Sequence, residues 1–192
     1  SGGGYTALGM YARSQHRIDS MQVWVPITSL SEWHAESKAL GSSYAKDIES
    51  CTGSRRQLNL IEMERRSPIN WLKSPRQESK LRIFAGVKDG HVGTVPITHS
   101  IDYFNKFLTL SGRQESKISA ELRKQLAAAG RTSDPEIQSG IMISDRLVVY
   151  QSLTPEVDIT VFDGGHEMLP LAAIEAIEID IVNSTKKINV RQ

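Results

Sequence analysis

The segment LRIFAGVKDGH, residues 81–91, decides the fold class. Residues 81–87 form a short run that is apolar apart from Arg82, and we interpret it as a strand that is buried in a parallel sheet. The polar residues Lys88, Asp89 and His91 follow at once, around Gly90. The segment therefore predicts a buried strand with a polar cluster at its carboxyl end.

The same pattern recurs twice along the chain. VDITVF, residues 157–162, leads directly into DGGHE, residues 163–167, and MQVWVPI, residues 21–27, is a third buried-strand candidate. Helical spacing separates these strands, at residues 5–13, around 32–48, 97–110, 116–129 and 170–179. The alternation predicts an α/β fold with a parallel sheet, whose active sites lie beyond the carboxyl ends of the strands.

Composition excludes several classes of function. The 192 residues suffice for a sizeable core, and Lys plus Arg, 23, almost equals Asp plus Glu, 22. The charges are scattered, so we expect neither nucleic acid nor a membrane as partner. Cys51 is the only cysteine, which excludes an intrachain disulfide and a cysteine metal cluster.

A serine, an aspartate and a histidine occur in the chain order of an α/β-hydrolase triad. Ser1-Gly2-Gly3 provides the second half of a G-x-S-x-G nucleophile elbow and is followed by a helix. Asp89 and His166 follow two of the predicted strands. In such a triad the imidazole takes the hydroxyl proton, and the carboxylate fixes the tautomer of the imidazole.

Several stretches resemble bacterial prolyl-oligopeptidase-like serine hydrolases. They are WVPITSLSEW at 24–33, Ser-Pro at 67–68, GVKDGHVGTVPITHS at 86–100 and FDGGHE at 162–167. The resemblance covers most of residues 1–178. It implies a parallel-sheet α/β-hydrolase fold of which residues 1–179 form the C-terminal half, with residues 180–192 as a tail of unassigned structure.

The resemblance also implies site roles. Ser1 is the nucleophile, His166 the base and Asp89 the acid, with the Gly2 amide as one oxyanion donor. The expected activity is hydrolysis of an ester or peptide bond in a small-molecule ester or peptide substrate, without a metal or organic cofactor. We expect the Asp89 carboxylate about 2.6 to 3.2 Å from the His166 ring nitrogen that faces away from Ser1.

The chain departs from the family pattern in ways that generate further expectations. It lacks the first two elbow residues and all earlier strands, so we expect an upstream N-terminal half that supplies the second oxyanion donor. Without that half, the strand at 21–27 is an open edge that could pair with another chain as a homo-oligomer, and residues 1–192 alone should be a poor catalyst. The long spacing between Asp89 and His166 requires an inserted segment, expected to be helical, at about residues 111–155.

Other readings of the same residues stay open. A non-catalytic hydrolase fragment could act as a binding or structural module. Asp163 or Asp145 could replace Asp89 as the acid. A bacterial cytoplasmic, periplasmic or secreted location is compatible with the sequence.

Two further chemistries use overlapping residues. Asp89, His91 and His166 could form a facial metal site, although their spacing follows the hydrolase loops. Ser1 could also be an N-terminal nucleophile whose own α-amine acts as base, but that reading requires a different, layered fold.

Overall fold

The chain alternates helices and strands, as the sequence predicts. A computed structural model describes residues 1–76, 78–130 and 140–190, with side chains up to residue 182 in the last helix. The elements are α1 (Gly2–Arg13), β1 (Ser20–Trp24), α2 (Leu30–Ala39), α3 (Tyr44–Cys51), α4 (Leu60–Arg66), α5 (Pro68–Trp71), β2 (Lys80–Gly86), α6 (Thr98–Leu110), a 3₁₀ turn (Gln114–Ser116), α7 (Ala120–Ala129), β3 (Met142–Ile143), β4 (Arg146–Leu153), β5 (Val157–Phe162) and α8 (Pro170–Val190).

Five strands in the described part of the chain form one mixed sheet, in the order β1-β2-β5-β4-β3. Strands β1, β2 and β5 are parallel, which matches the three strands predicted from sequence. Strand β4 runs antiparallel to β5, and β3 runs antiparallel to β4. The α/β class is confirmed, whereas the sheet is only partly parallel.

The expectation of a helical insertion at about residues 111–155 is wrong in part. Helix α7 lies in the first half of this segment, but β3 and β4 lie in the second half. Residues 131–139 lie outside the described residues. The stretch RLVVYQSL of β4 buries Val148 and Val149, and its other residues are exposed or half-buried. Such a short apolar run does not by itself distinguish a strand from a helix.

Each face of the sheet is covered by a different set of helices. On one face, Leu8 and Tyr11 of α1 and Phe104 of α6 pack against alternate strand residues. On the other face, α8 packs against Trp24 and Phe84, whose rings stack 4.0 Å apart. Every residue of β5 is buried, because the strand is central and has helices on both sides.

Two predicted helices have different bounds in the structure. The helix predicted at 32–48 is two helices, α2 and α3, because Gly41 interrupts it with a left-handed φ of +65°. Helix α8 continues beyond residue 179 to Val190, so most of the segment predicted as a tail is helical, and residues 191–192 lie outside the described residues. The domain boundary at 179 stays a prediction.

Strand β1 forms one edge of the sheet. Within the described ranges it pairs with β2 alone, and its sequence SMQVW carries no charged side chain. Helix α8 lies over it, since the Gln22 amide donates a hydrogen bond to the carbonyl oxygen of Ala173 at 2.8 Å. None of the described helices combines the length and the apolar character that crossing a membrane requires.

Candidate active site

Asp89 and His166 meet at the carboxyl ends of two neighbouring parallel strands. The register of β2 and β5 aligns Gly86 with Phe162, so the loops that follow these strands begin side by side. Oδ2 of Asp89 lies 2.7 Å from Nδ1 of His166. The structure therefore brings together two of the residues that the sequence predicted for the site.

The Asp89 carboxylate is buried and firmly held. It is 3% exposed, and its Oδ1 accepts hydrogen bonds from the backbone N–H of Gly90 at 2.9 Å and of Val95 at 3.1 Å. These donors fix the carboxylate, which leaves Oδ2 directed at His166. A buried carboxylate with this many partners is well oriented to accept from the imidazole.

The contacts of His166 define its tautomer. Because an ionised carboxylate only accepts, Nδ1 of His166 carries the proton that bonds Asp89, which in the neutral ring leaves the lone pair on Nε2. Nε2 lies 3.1 Å from the backbone nitrogen of Ser1. The two ring nitrogens therefore contact different groups, the Asp89 carboxylate on one side and the backbone nitrogen of Ser1 on the other.

Hydrogen bonds connect the loop after β2 that carries Asp89, here called the acid loop, with the loop after β5 that carries His166, here called the histidine loop. The Lys88 N–H donates to the carbonyl of Gly164 at 2.9 Å, and Lys88 Nζ pairs with Asp163 Oδ1 at 2.6 Å. A Cβ at Gly93 would overlap Oδ1 of Asp89 and Cβ of His166, so the chain can pass this close only as glycine.

The two alternative acids, Asp163 and Asp145, have partners other than the His166 imidazole. Asp163 pairs with Lys88, and Asp145 lies 3.6 Å from Nε of Arg146. Of the three candidate carboxylates, the structure brings Asp89 to His166.

Ser1 reaches His166 through its α-amine. The amine is the group 3.1 Å from Nε2, and among the described hydrogen bonds the Ser1 hydroxyl makes none. Burial lowers the pKa of the amine below its ordinary value of 8.0, while the nearby Asp89 carboxylate opposes that shift. The contact between Ser1 and the imidazole is therefore made by the amine and not by the hydroxyl expected as nucleophile.

Gly2 lies in the first turn of α1, where backbone N–H groups have no acceptor within the helix. Helix α1 packs closely on the end of β1, because a Cβ at Gly4 would lie 2.5 Å from the carbonyl oxygen of Trp24. The N-terminus of a helix favours negative charge. The predicted oxyanion donor thus lies at a suitable electrostatic position.

The strand β1 ends in a strained residue that sequence reasoning missed. Val25 is buried and has a φ of +43°, in the region that a β-branched residue seldom adopts. Its N–H donates to the carbonyl of Phe84 at 2.8 Å, which holds it in place. Such strain costs about 1–3 kcal/mol and is concentrated near functional sites, but no local sequence signal marks it.

Two other histidines near the acid loop have structural partners. Nε2 of His91 lies 2.8 Å from the carbonyl oxygen of Ala127, on the side of α7. His99 is 1% exposed; its Nδ1 accepts from the Thr28 N–H at 3.1 Å and its Nε2 lies 3.0 Å from Glu36. The residues that the structure describes contain no group of three or more His, Cys, Asp and Glu side chains placed to hold a metal.

The chain matches no protein-family model, no curated protein and no solved structure. Its function is therefore inferred from the geometry of the site.

Proposed function

We propose that this chain carries the catalytic residues of a serine hydrolase that cleaves an ester or peptide bond through an acyl-enzyme. The observation that supports this most strongly is the line of contacts from the Asp89 carboxylate through the His166 ring to the backbone nitrogen of Ser1, at 2.7 and 3.1 Å. The acid holds one ring nitrogen, and the other ring nitrogen faces the serine. This is the division of roles that nucleophilic hydrolysis needs.

The proposed reaction has two halves. Oγ of Ser1 attacks the substrate carbonyl while Nε2 of His166 takes the hydroxyl proton, and the Gly2 amide donates to the oxyanion. The tetrahedral intermediate collapses, the bond to the leaving alcohol or amine breaks, and His166 returns the proton to it. Water then attacks the acyl group by the same route, releasing the acid and restoring Ser1. The proposal requires the hydroxyl to replace the amine at Nε2.

We further propose that the chain is the C-terminal half of an α/β-hydrolase domain. Strand β1 has an uncharged edge that, in the described sheet, lacks a second partner, and natural sheets rarely leave such an edge uncovered. An N-terminal half would cover it and supply the second oxyanion donor. Pairing of this edge with a second copy is the other possible arrangement.

Labelling with a fluorophosphonate probe tests the proposal. We expect the label on Oγ of Ser1 and its loss in Ser1→Ala and His166→Ala. Ser119→Ala is the control, since Ser119 stands at the N-cap position of a different helix, α7. The proposal fails if neither the 1–192 chain nor a chain extended upstream is labelled on any serine. The alternative, a non-catalytic binding or structural module, would then be favoured.

A second candidate is an N-terminal nucleophile mechanism, in which the α-amine of Ser1 is the base. The observations in its favour are that burial lowers the pKa of this amine and that the amine lies at the site. Addition of one glycine before Ser1 converts the amine into an amide. Labelling that survives this addition supports the triad, whereas labelling that disappears while Asp89→Asn still reacts supports the amine.

A further inference from the structure

We propose that Glu167 and Arg146 are positioning residues for His166, acting through the backbone of Gly165. The inference rests on the proposed function, because it assigns a role in placing the general base. Neither residue touches the reacting atoms.

Glu167 folds back over the turn that carries the histidine. Its Oε1 accepts a hydrogen bond from the Gly165 N–H at 3.2 Å, and its own N–H donates to the Gly165 carbonyl at 3.1 Å. His166 is the central residue of this closed turn. The backbone on both sides of the imidazole is thereby fixed.

Arg146 connects the turn to the rest of the sheet. Its Nη2 donates to Oε2 of Glu167 at 3.3 Å, and it is the first residue of β4, the antiparallel neighbour of β5. The Asp163 N–H also donates to the Leu147 carbonyl at 2.8 Å. The histidine loop is therefore held by β2 on one side, through the acid loop, and by β4 on the other.

The ion pair is too exposed to contribute much to overall stability. The Arg146 and Glu167 side chains are 39% and 36% exposed, and pairs of this kind stabilise proteins little. Its effect should instead be on where Nε2 of His166 lies, since a displacement of about 1 Å in a catalytic group costs about 100-fold in rate.

The test compares Glu167→Ala, Glu167→Gln, Arg146→Gln and Arg146→Lys. The matched control is Glu156→Gln, because Glu156 pairs with Arg113 at 2.9 Å with nearly the same exposures, 36% and 35%, away from the site. The rates are kcat and KM for an ester substrate, and the rate constant of fluorophosphonate labelling. The structural readout is the low-field NMR resonance of the proton between His166 and Asp89.

We expect Glu167→Ala to lower kcat and the labelling rate by about 10- to 100-fold, with KM unchanged. Glu167→Gln keeps an oxygen for the Gly165 N–H but loses the charge that Arg146 needs, so a loss of about 3- to 10-fold is expected. Arg146→Gln should lower the rate by the same factor as Glu167→Gln, and Arg146→Lys should keep most of the rate of the unsubstituted chain. The His166 proton resonance should broaden in Glu167→Ala and stay unchanged in the control.

The inference is overturned if Glu167→Ala and Arg146→Gln label as fast as the control and keep the native resonance. A lower melting temperature with unchanged kcat would likewise show a structural role only. If Glu167→Ala does not fold, the labelling rates of Glu167→Gln and Arg146→Lys test the inference instead. Failure of the proposed function is distinguishable, because Ser1→Ala would then label like the unsubstituted chain.

Discussion

The sheet has a polar cluster at each end, and the two clusters differ in the groups that their side chains contact. At the amino end, Asp158 of β5 bonds Lys80 at 2.6 Å and Arg82 at 2.7 Å, and Arg82 also bonds Asp180 of α8 at 2.6 Å. Each carboxylate there has a cation, and each cation a carboxylate. This network connects two strands and the helix that covers them.

At the carboxyl end the imidazole has two partners of different kinds. Asp89 holds Nδ1 of His166, while Nε2 contacts the α-amine of Ser1 at 3.1 Å. A network of paired charges fixes elements in place, whereas an oriented imidazole can accept a proton from the serine hydroxyl once that hydroxyl replaces the amine at Nε2. The amino-end cluster connects elements of the fold, and the carboxyl-end cluster is the site of the proposed chemistry. The following predictions test this difference in order of expected effect.

The largest effect is expected for Asp89→Asn. An amide in place of the carboxylate favours the tautomer with the proton on Nε2, which removes the base, so turnover should fall by about 10⁴-fold. Thermal unfolding should change little. Steady-state kinetics and a melting curve provide the measurement, and near-native turnover would transfer the acid role to Asp163 or Asp145.

The reverse pattern is expected for Asp158→Asn. Loss of this charge leaves Lys80 and Arg82 facing each other, 20% and 15% exposed, and should reduce the free energy of unfolding by about 3 kcal/mol. Labelling of the folded protein should be unaffected. Urea unfolding measures the effect, with Asp102→Asn as control, because its partner Arg123 is 35% exposed and the loss should stay below about 1 kcal/mol. Equal losses in both variants would contradict a structural network at the amino end.

Gly93→Ala should separate the effect of the Asp89–His166 geometry on turnover from the effect of a substitution on the stability of the fold. The added methyl group overlaps Asp89 and His166, so either residue must move, and a rate loss of about 100-fold is expected. Gly112→Ala is the control: its φ of +73° makes alanine strained, costing about 1 kcal/mol, yet turnover should be unchanged. Kinetics and melting curves on both variants decide, and a fully active Gly93→Ala would mean that the loops have room to adjust.

The smallest effect concerns the Ser1 amine. Burial lowers its pKa in the folded chain below 8.0, so between the lowered value and 8.0 the unfolded chain binds more protons. The free energy of unfolding should therefore rise with pH across that window. Urea unfolding between about pH 6 and 8.5 measures the slope, relative to an Nα-acetylated chain that lacks this titration. An identical slope in both chains would show that the amine is not shielded by folding.

Much of the candidate site could be predicted from the sequence. The buried strands around residues 81–87 and 157–162 each end in polar residues, and the carboxyl ends of parallel neighbours meet at one edge. Local composition and the spacing of apolar residues are enough to predict these strands, because a strand buried on both faces needs a continuous apolar run. The proximity of Asp89 and His166 follows from those two strands being neighbours.

Other features were beyond the sequence. Strand β4 was missed because its short apolar run fits a helix as well as a strand, and only its pairing with β5 made it a strand. Helix α8 was predicted to end at residue 179, yet it continues to Val190. Helix ends depend on packing and capping as much as on local pattern.

The sequence by itself determined the α/β class and the strand-end positions of Asp89 and His166, because hydrophobic period and chain order are local properties. Only the tertiary structure decided that the amine of Ser1 faces Nε2, that Asp158 and Asp180 share Arg82, and that Glu167 bonds Arg146. These contacts join residues far apart in the chain. Their partners are chosen by strand order and helix packing, which no short stretch of sequence encodes.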